Sequence, residues 1–356
     1  MKGKSPDNIK NSNNENTKSY EASLKLNEIL NNLPSDLYNI LKKYESWEFI
    51  GSGRDSYVYK AKVKETGKEI AIKIFKLNKD DNKYMNEKRI SIKLKNPNVI
   101  NCYFFYEDKK NRNYYIIMDY GKLGNLREFQ NKFLQKNYIS ETLLSFITYQ
   151  ILVGLKYIHL CKIAHLDLKP QNIIIDEYLN VKIIDFSISL DYSKINSKEI
   201  KLRLGGTYFY MAPEVFRCDI IKVKDLNKVD LFALGVILFN LAFGTYPFGL
   251  NKEDSNNVKV VYKKIMNDLI IENEDNYYSS HFIGFIQQLL EKDINKRINI
   301  NEALNNYWVK SAHILLDEKE KAYNAVKFLG YLVTDHIKSF DDYINKGNLY
   351  FDKQPI

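Results

Sequence analysis

The sequence predicts an α+β chain in two parts: a small antiparallel β-sheet with one main helix, then a larger, mainly helical body. Three observations carry this. Between residues 47 and 119 apolar side chains recur at every second position, the period of a strand. After Gly121 and Gly124 they recur at helical spacing over long stretches. The early strands are joined by a tight turn, Thr66-Gly67, which suits antiparallel neighbours.

Taken in order, residues 1–18 are poor in apolar side chains and rich in Asn, Lys and Ser, and are expected to be disordered. Residues 19–46 form an amphipathic extension. Leu24, Ile29, Leu30 and Leu33 precede Pro34, and Leu37, Ile40, Leu41 and Tyr44 follow it. Two short helices are expected, the second capped by Ser35 or Asp36. In the domain proper, 47–309, the first part (47–120) opens with Tyr57, Tyr59, Ala61 and Val63 on one strand face. The next strand sets Ile70, Ile72 and Ile74 against Ala71, Lys73 and Phe75. A helix over 80–95 stops before Pro97, and Tyr114–Asp119 reads as a further strand. In the second part (121–309), Leu143, Leu144, Ile147, Ile151, Leu155 and Ile158 mark a long buried helix. Short strands follow at Ile173–Ile175 and Val181–Ile184, then helices over 228–244 and 281–308. Residues 310–356 carry too many apolar positions for a fully solvated tail.

Composition narrows the function. The chain has 356 residues, 45% hydrophobic and 27% charged, an ordinary globular balance. Lys and Arg outnumber Asp and Glu by 53 to 44, but the excess of +9 is diffuse, so no nucleic-acid partner is expected. Cys102, Cys161 and Cys218 are too few and too scattered for a disulfide framework or a zinc site. The N-terminus lacks the apolar run of a signal peptide. The longest apolar run, Leu231–Phe243, is interrupted by Asn240 and reads as a buried helix, so no membrane segment is expected. These features suit the cytoplasm, with access to the nucleus.

The chemistry gathers in a few motifs. His165-Leu166-Asp167-Leu168-Lys169-Pro170-Gln171-Asn172 is followed by Asp185-Phe186-Ser187 just after a strand, and then by Met211-Ala212-Pro213-Glu214. Upstream stand Gly51-Ser52-Gly53 with Val58, Ala71-Ile72-Lys73 on a strand, and Glu87 on the next helix. Each alone has a bland reading, as a turn, a solvated charge or a core residue; their joint order does not. The set resembles that of eukaryotic-type protein kinases of the serine/threonine class over about residues 47–309. Asp230 to Gly235, Arg297 and Trp308 resemble the family's later markers.

The resemblance implies a bilobal fold and transfer of the ATP γ-phosphate to protein Ser or Thr hydroxyls, with Mg²⁺, or Mn²⁺ in its place, as the metal. It implies Asp167 as base, Lys169 on the γ-phosphate, Lys73 on the α and β phosphates with Glu87 holding it, and Thr207 touching Asp167 and Lys169. Asn172 and Asp185 would hold the metal. Gly51, Ser52, Gly53, Val58, Ala71, Met118, Asp119, Gly121, Asn125 and Ile174 would contact the nucleotide, with Met118 as gatekeeper and Asp119–Gly121 as the adenine-binding hinge. Arg297 would pair with Glu214.

The sequence also departs from the family pattern. Ser56 stands at the third loop glycine. Leu166 replaces the arginine that ordinarily receives an activation-loop phosphate, which implies basal activity without that phosphate. The hydroxyls of Ser189, Ser193 and Ser197 make modification of that loop chemically possible, and Lys194, Lys198, Lys201 and Arg203 ride on it as a mobile segment. Ser187 replaces a glycine and would resist positive φ. Asn125, Gln171 and Asn240 replace carboxylates that bind arginine-rich peptides, so neutral or acidic substrates are expected. A nucleotide-binding pseudokinase scaffold and a small-molecule kinase are the alternative readings. The 19–46 and 310–356 segments are expected to pack on the domain or to dock a partner.

Overall fold

A computed structural model of the chain describes residues 24, 26–53, 56–76, 82–134, 139–202, 205–251, 253–254, 257–267 and 277–311. The tail expected to be disordered, residues 54–55, Arg203 and nearly all of the 310–356 extension lie outside them. The chain divides into two units, 1–88 with 101–120, and 89–100 with 121–356.

In the first unit, β1 (Tyr44–Ser52), β2 (Ser56–Val63), β3 (Glu69–Lys76), β4 (Cys102–Asp108) and β5 (Asn113–Asp119) form one antiparallel sheet in the order β1-β2-β3-β5-β4. The strand period is honoured and both faces of β3 are covered. Ile70, Ile72 and Ile74 join Tyr59, Ala61, Tyr115 and Ile117 in one apolar cluster. That cluster is closed by Ile29 of α1 (26–31) and by Leu37 and Leu41 of α2 (Ser35–Leu41). Each such side chain removed from water contributes roughly 1.5–3 kcal/mol. The amphipathic stripe of the extension is therefore buried on the protein's own sheet rather than left open for a partner. On the other face, Tyr84 of α3 (Asn82–Lys93) stacks on Tyr114 with ring centroids 3.8 Å apart and meets Phe75 edge-on at 5.8 Å. The cap expected at Ser35 or Asp36 is absent. Pro34 occupies the N-cap without a side-chain bond, and Asp36 lies inside the helix, accepting from the Tyr106 hydroxyl at 2.7 Å.

The second unit is mainly helical. A short ladder joins β6 (Gly124–Asn125), β8 (Ile173–Ile175) and β9 (Val181–Ile183). Helices α4 (Leu126–Leu134) and α5 (Glu141–Leu160) follow β6, and β7 (Ile163–Ala164) pairs with β10 (Leu190–Asp191). Farther along lie β11 (Glu199–Lys201), α6 (Pro213–Phe216), β12 (Ile220–Lys222), α7 (Asn227–Phe243) and α8 (Val258–Ile265). Two helical stretches, Glu141–Leu160 and Val223–Phe243, are long and apolar enough to cross a membrane, but 72% and 83% of their apolar windows are buried inside the fold.

Two expectations are corrected here. The stretch 281–308 is not one helix but three: α9 (Ser280–Leu289), α10 (Ile300–Asn305) and α11 (Tyr307–Lys310). The later two helices each begin at a side-chain cap. Asn299 accepts from the Asn301 and Glu302 backbone while Glu302 returns a bond to Asn299 N, a capping box, and Asn306 caps Trp308 N. The activation segment is also not wholly loop: β11 pairs with β12, setting Ile200 opposite the buried Ile221 and placing Lys201 in a strand.

Candidate active site

The first unit supplies one cluster. On β3, Lys73 lies opposite Val58 of β2 and Ile116 of β5, so its ammonium leaves the sheet on the α3 side with Ala71 and Phe75. There it bonds both oxygens of Glu87, at 3.0 and 2.8 Å, with both residues buried. Burial of a lysine is costly unless it is paired, and here the pair fixes the head group. Ala71 pairs with Met118, and both are buried. Asp119 is tied by its backbone N–H to Asn101 O at 3.0 Å. The Gly51-Ser52-Gly53 run ends β1, and Gly53 N–H closes the hairpin on Ser56 O at 2.8 Å. A Cβ built on Gly51 meets nothing within 4 Å, so the chain's own packing does not account for that glycine. Bare backbone beside open space is what a phosphate cradle needs.

The second unit holds the larger cluster, organised around Asp230 at the start of α7. Its carboxylate is fully enclosed and accepts from His159 Nε2 at 2.8 Å and from the backbone N–H groups of His165 and Leu166, each at 2.9 Å. Burial pushes this carboxyl upward, but the His159 bond and the remaining donors outweigh it and hold it below the usual aspartate range. Those bonds also hold Leu166 at φ 65°, a left-handed conformation that an L-residue adopts at a cost of roughly 1–2 kcal/mol. The turn so formed presents Asp167. Lys169 Nζ donates to Asp167 Oδ2 at 2.6 Å and to Thr207 Oγ1 at 3.0 Å. Thr207 N–H and its hydroxyl both donate to Asp167 Oδ1, at 2.9 and 3.1 Å. Gly206 precedes it at φ 87°, where a Cβ would stand 3.0 Å from Asp167 Oδ1. Asn172 donates through Nδ2 to Asp167 O at 2.8 Å, which turns its amide oxygen away as a ligating end.

Asp185 follows β9 at φ 68°, and Phe186 is fully buried with its ring edge-on to His165, 5.3 Å between centroids. The left-handed residue of this motif is thus Asp185, and Ser187 carries no positive φ. Ser187 thus sits in the backbone region that a side chain tolerates, in keeping with its expected resistance to positive φ. Among the described residues no group of three or more His, Cys, Asp or Glu side chains could hold a metal by itself. Asn172 and Asp185 offer the hard oxygen donors that a divalent ion takes. Gly121 has a packing reason: a Cβ there would fall 2.8 Å from Ile174 Cβ and 3.0 Å from Ile175 O. The Asn125 oxygen caps α4, accepting from Arg127 N and Glu128 N at 3.0 and 3.1 Å, so only its amide nitrogen remains for a ligand. Asn240 is buried, with its nitrogen on Thr245 O at 3.0 Å.

Some residues of consequence escaped the sequence reading. Asp191 accepts from Lys93 Nζ at 2.5 Å, from Ser193 Oγ at 2.6 Å and from Ser193 N at 3.1 Å, with Arg89 3.9 Å away. Burial opposes its ionisation, but Lys93 and Ser193 overcome that and hold the carboxyl down to about 2. This carboxylate ties Lys93 to the segment after Asp185. No local signal marks it, because Lys93 and Asp191 lie 98 residues apart. Ser189 is buried, with its hydroxyl donating to His165 O at 3.0 Å, so of the three loop serines it is enclosed while Ser193 and Ser197 stay exposed. The expected Arg297–Glu214 pair is present and bidentate, at 2.6 and 2.9 Å.

The protein kinase domain profile matches residues 44–309 of the chain. The probable serine/threonine-protein kinase fhkA of Dictyostelium discoideum is 30% identical over 305 residues, covering 76% of this chain and 50% of that protein. The serine/threonine-protein kinase pakH of the same organism is 32% identical over 271 residues, with the same two coverages of 76% and 50%. Serine/threonine-protein kinase D2 of Rattus norvegicus is 29% identical over 281 residues, covering 77% of this chain and 30% of its own. The chain thus spans half the length or less of these curated relatives. With the motif residues in the order described and a domain match across most of its length, the chain belongs to the protein kinase family, whose members use ATP and a divalent metal.

Proposed function

We propose that the protein is an active serine/threonine protein kinase that uses Mg²⁺-ATP. The observation that carries this is the convergence on Asp167. Its carboxylate is held by Lys169 and by both donors of Thr207, while Asn172 clamps the peptide behind it. A carboxylate fixed in this way is placed to accept the proton of an incoming hydroxyl and to orient it. Lys169, a point charge bonded to base and threonine alike, suits a developing phosphoryl charge. Lys73, anchored by Glu87, suits the non-transferred phosphates. Bound metal would supply charge neutralisation on the phosphates; Asn172 and Asp185 are the residues that would hold it. The three serine/threonine kinases that the chain resembles support the choice of acceptor.

The test is phosphate transfer from labelled ATP to a generic protein substrate, followed by phosphoamino-acid analysis. Wild-type protein is expected to yield phosphoserine or phosphothreonine, and Asp167→Asn to lose at least two orders of magnitude. Nucleotide binding without transfer would replace this reading with that of a scaffold, and equal turnover by Asp167→Asn would remove Asp167 from the role of base.

A further inference from the structure

The half-buried guanidinium of Arg127, near the start of α4, is neutralised by no carboxylate among the described residues. Nη1 donates to Gln130 Oε1 at 2.7 Å, and Nη2 donates to the hydroxyls of Tyr210 and Tyr246, each at 3.0 Å. All three acceptors are neutral. Glu128, next in the chain, turns its carboxylate back to Asn125 N at 3.1 Å. A guanidinium has five N–H donors, so two remain, with a full positive charge behind them. The fork is also held in place. Tyr210 is buried, Tyr246 packs on Phe209 with centroids 4.6 Å apart, and Gln130 is pinned to Asn240 O at 2.6 Å. A charge kept in position without a counter-ion is preorganised for an anion that arrives from outside.

Its position says which anion. Tyr210 is one hydrogen-bonded turn from Thr207 (Tyr210 N to Thr207 O, 3.1 Å), and Thr207 is bonded to Asp167. One such turn plus a tyrosine side chain places the guanidinium on the order of 10–15 Å from the base, a span of three or four extended residues. We infer that Arg127, steadied by Tyr210, Tyr246 and Gln130, binds an anionic side chain of the substrate three or four residues from the acceptor hydroxyl. The inference rests on the kinase reading above and adds a determinant of substrate choice to it. The anion is a carboxylate or a phosphate already present on the peptide; an oxygen of either can accept from one of the two remaining donors.

The experiment compares peptides with one serine that differ only at positions three and four on either side, carrying Glu, phosphoserine, Ala or Arg. The readout is the ratio of kcat/KM values. Wild-type enzyme is expected to favour Glu or phosphoserine over Ala at one of these positions by about 10-fold, chiefly through KM, as a charge-assisted bond warrants. Arg127→Gln is expected to abolish the preference, Arg127→Lys to retain part of it, and Arg127→Glu to turn it toward Arg. The Glu and phosphoserine arms separate the two anion sources. The proposal is overturned if wild type shows no anion preference, if the ratio is unmoved in Arg127→Gln, or if every peptide falls by the same factor, since a merely structural role would do that. If wild type phosphorylates none of these peptides and no generic protein substrate, the kinase reading itself fails, a result distinct from activity without preference.

Discussion

Replacing Arg297 by methionine should destabilise the protein by about 5 kcal/mol at pH 7, and the size can be worked from its contacts. Arg297 and Glu214 are each 1% exposed. The guanidinium bonds both carboxylate oxygens at 2.6 and 2.9 Å, donates to Glu291 O at 2.7 Å and Lys228 O at 3.0 Å, and lies 4.9 Å from the Phe232 ring. Methionine fills a similar length but removes every donor. Leaving one charge of a buried pair costs roughly 3–5 kcal/mol. The two carbonyls lose about 1 kcal/mol each. With roughly 2–4 °C per kcal/mol for a domain of this size, Tm should fall by about 10–20 °C. Thermal unfolding followed by fluorescence is the assay, with Glu214→Gln/Arg297→Met as the second variant. The double variant lacks the stranded charge and should recover about half of the loss. A loss under about 2 °C, or equal loss in both variants, would refute the reasoning.

Three further outcomes follow from the site. Asp191→Asn should destabilise the protein at pH 7, and the gap should close on acidification: a carboxyl lowered from 3.8 to about 2 contributes fully above the higher value and loses its contribution as pH falls toward the lower. Denaturant titrations at pH 7 and pH 3 check this, and a constant gap argues against it. Phosphatase-treated enzyme, kept from autophosphorylating, should retain basal activity, because Leu166 offers no cation and Asp191 already supplies a fixed anion to Lys93; activity regained only on phosphorylation of Ser193 or Ser197 would contradict this. Thr207→Ala should lower kcat by about 10-fold or more through loss of the bonds to Asp167 and Lys169, whereas Thr207→Ser, which keeps the hydroxyl, should be mild. Steady-state kinetics of both variants decides it.

What could be read in advance follows the range over which each signal acts. The β3 alternation was legible because it is local, and it placed Lys73 beside Ala71 on the α3 side of the sheet. The Asp167 loop was legible because five chemically distinct residues keep fixed spacing within eight positions. The division into α9, α10 and α11 was missed because the starts of α10 and α11 are set by side-chain caps, Asn299 and Asn306, which do not show in the apolar pattern. Asp191 and Arg127 were missed for another reason. Each is one charge on an ordinary amphipathic segment, and its meaning depends on partners 98 and 83 residues away.

The helices ahead of the matched region bear on how much chain the domain needs in order to fold. A fragment cut to residues 44–309, the span of the family match, would lose Ile29, Leu37 and Leu41. Tyr59, Ala61, Ile70, Ile72 and Ile74 would then face water across one side of a twisted sheet. An uncovered apolar patch of that kind drives self-association. The smallest soluble piece of this protein therefore begins upstream of residue 29, and recombinant fragments designed on the family boundary should collect in inclusion bodies while those that keep the two preceding helices stay monodisperse.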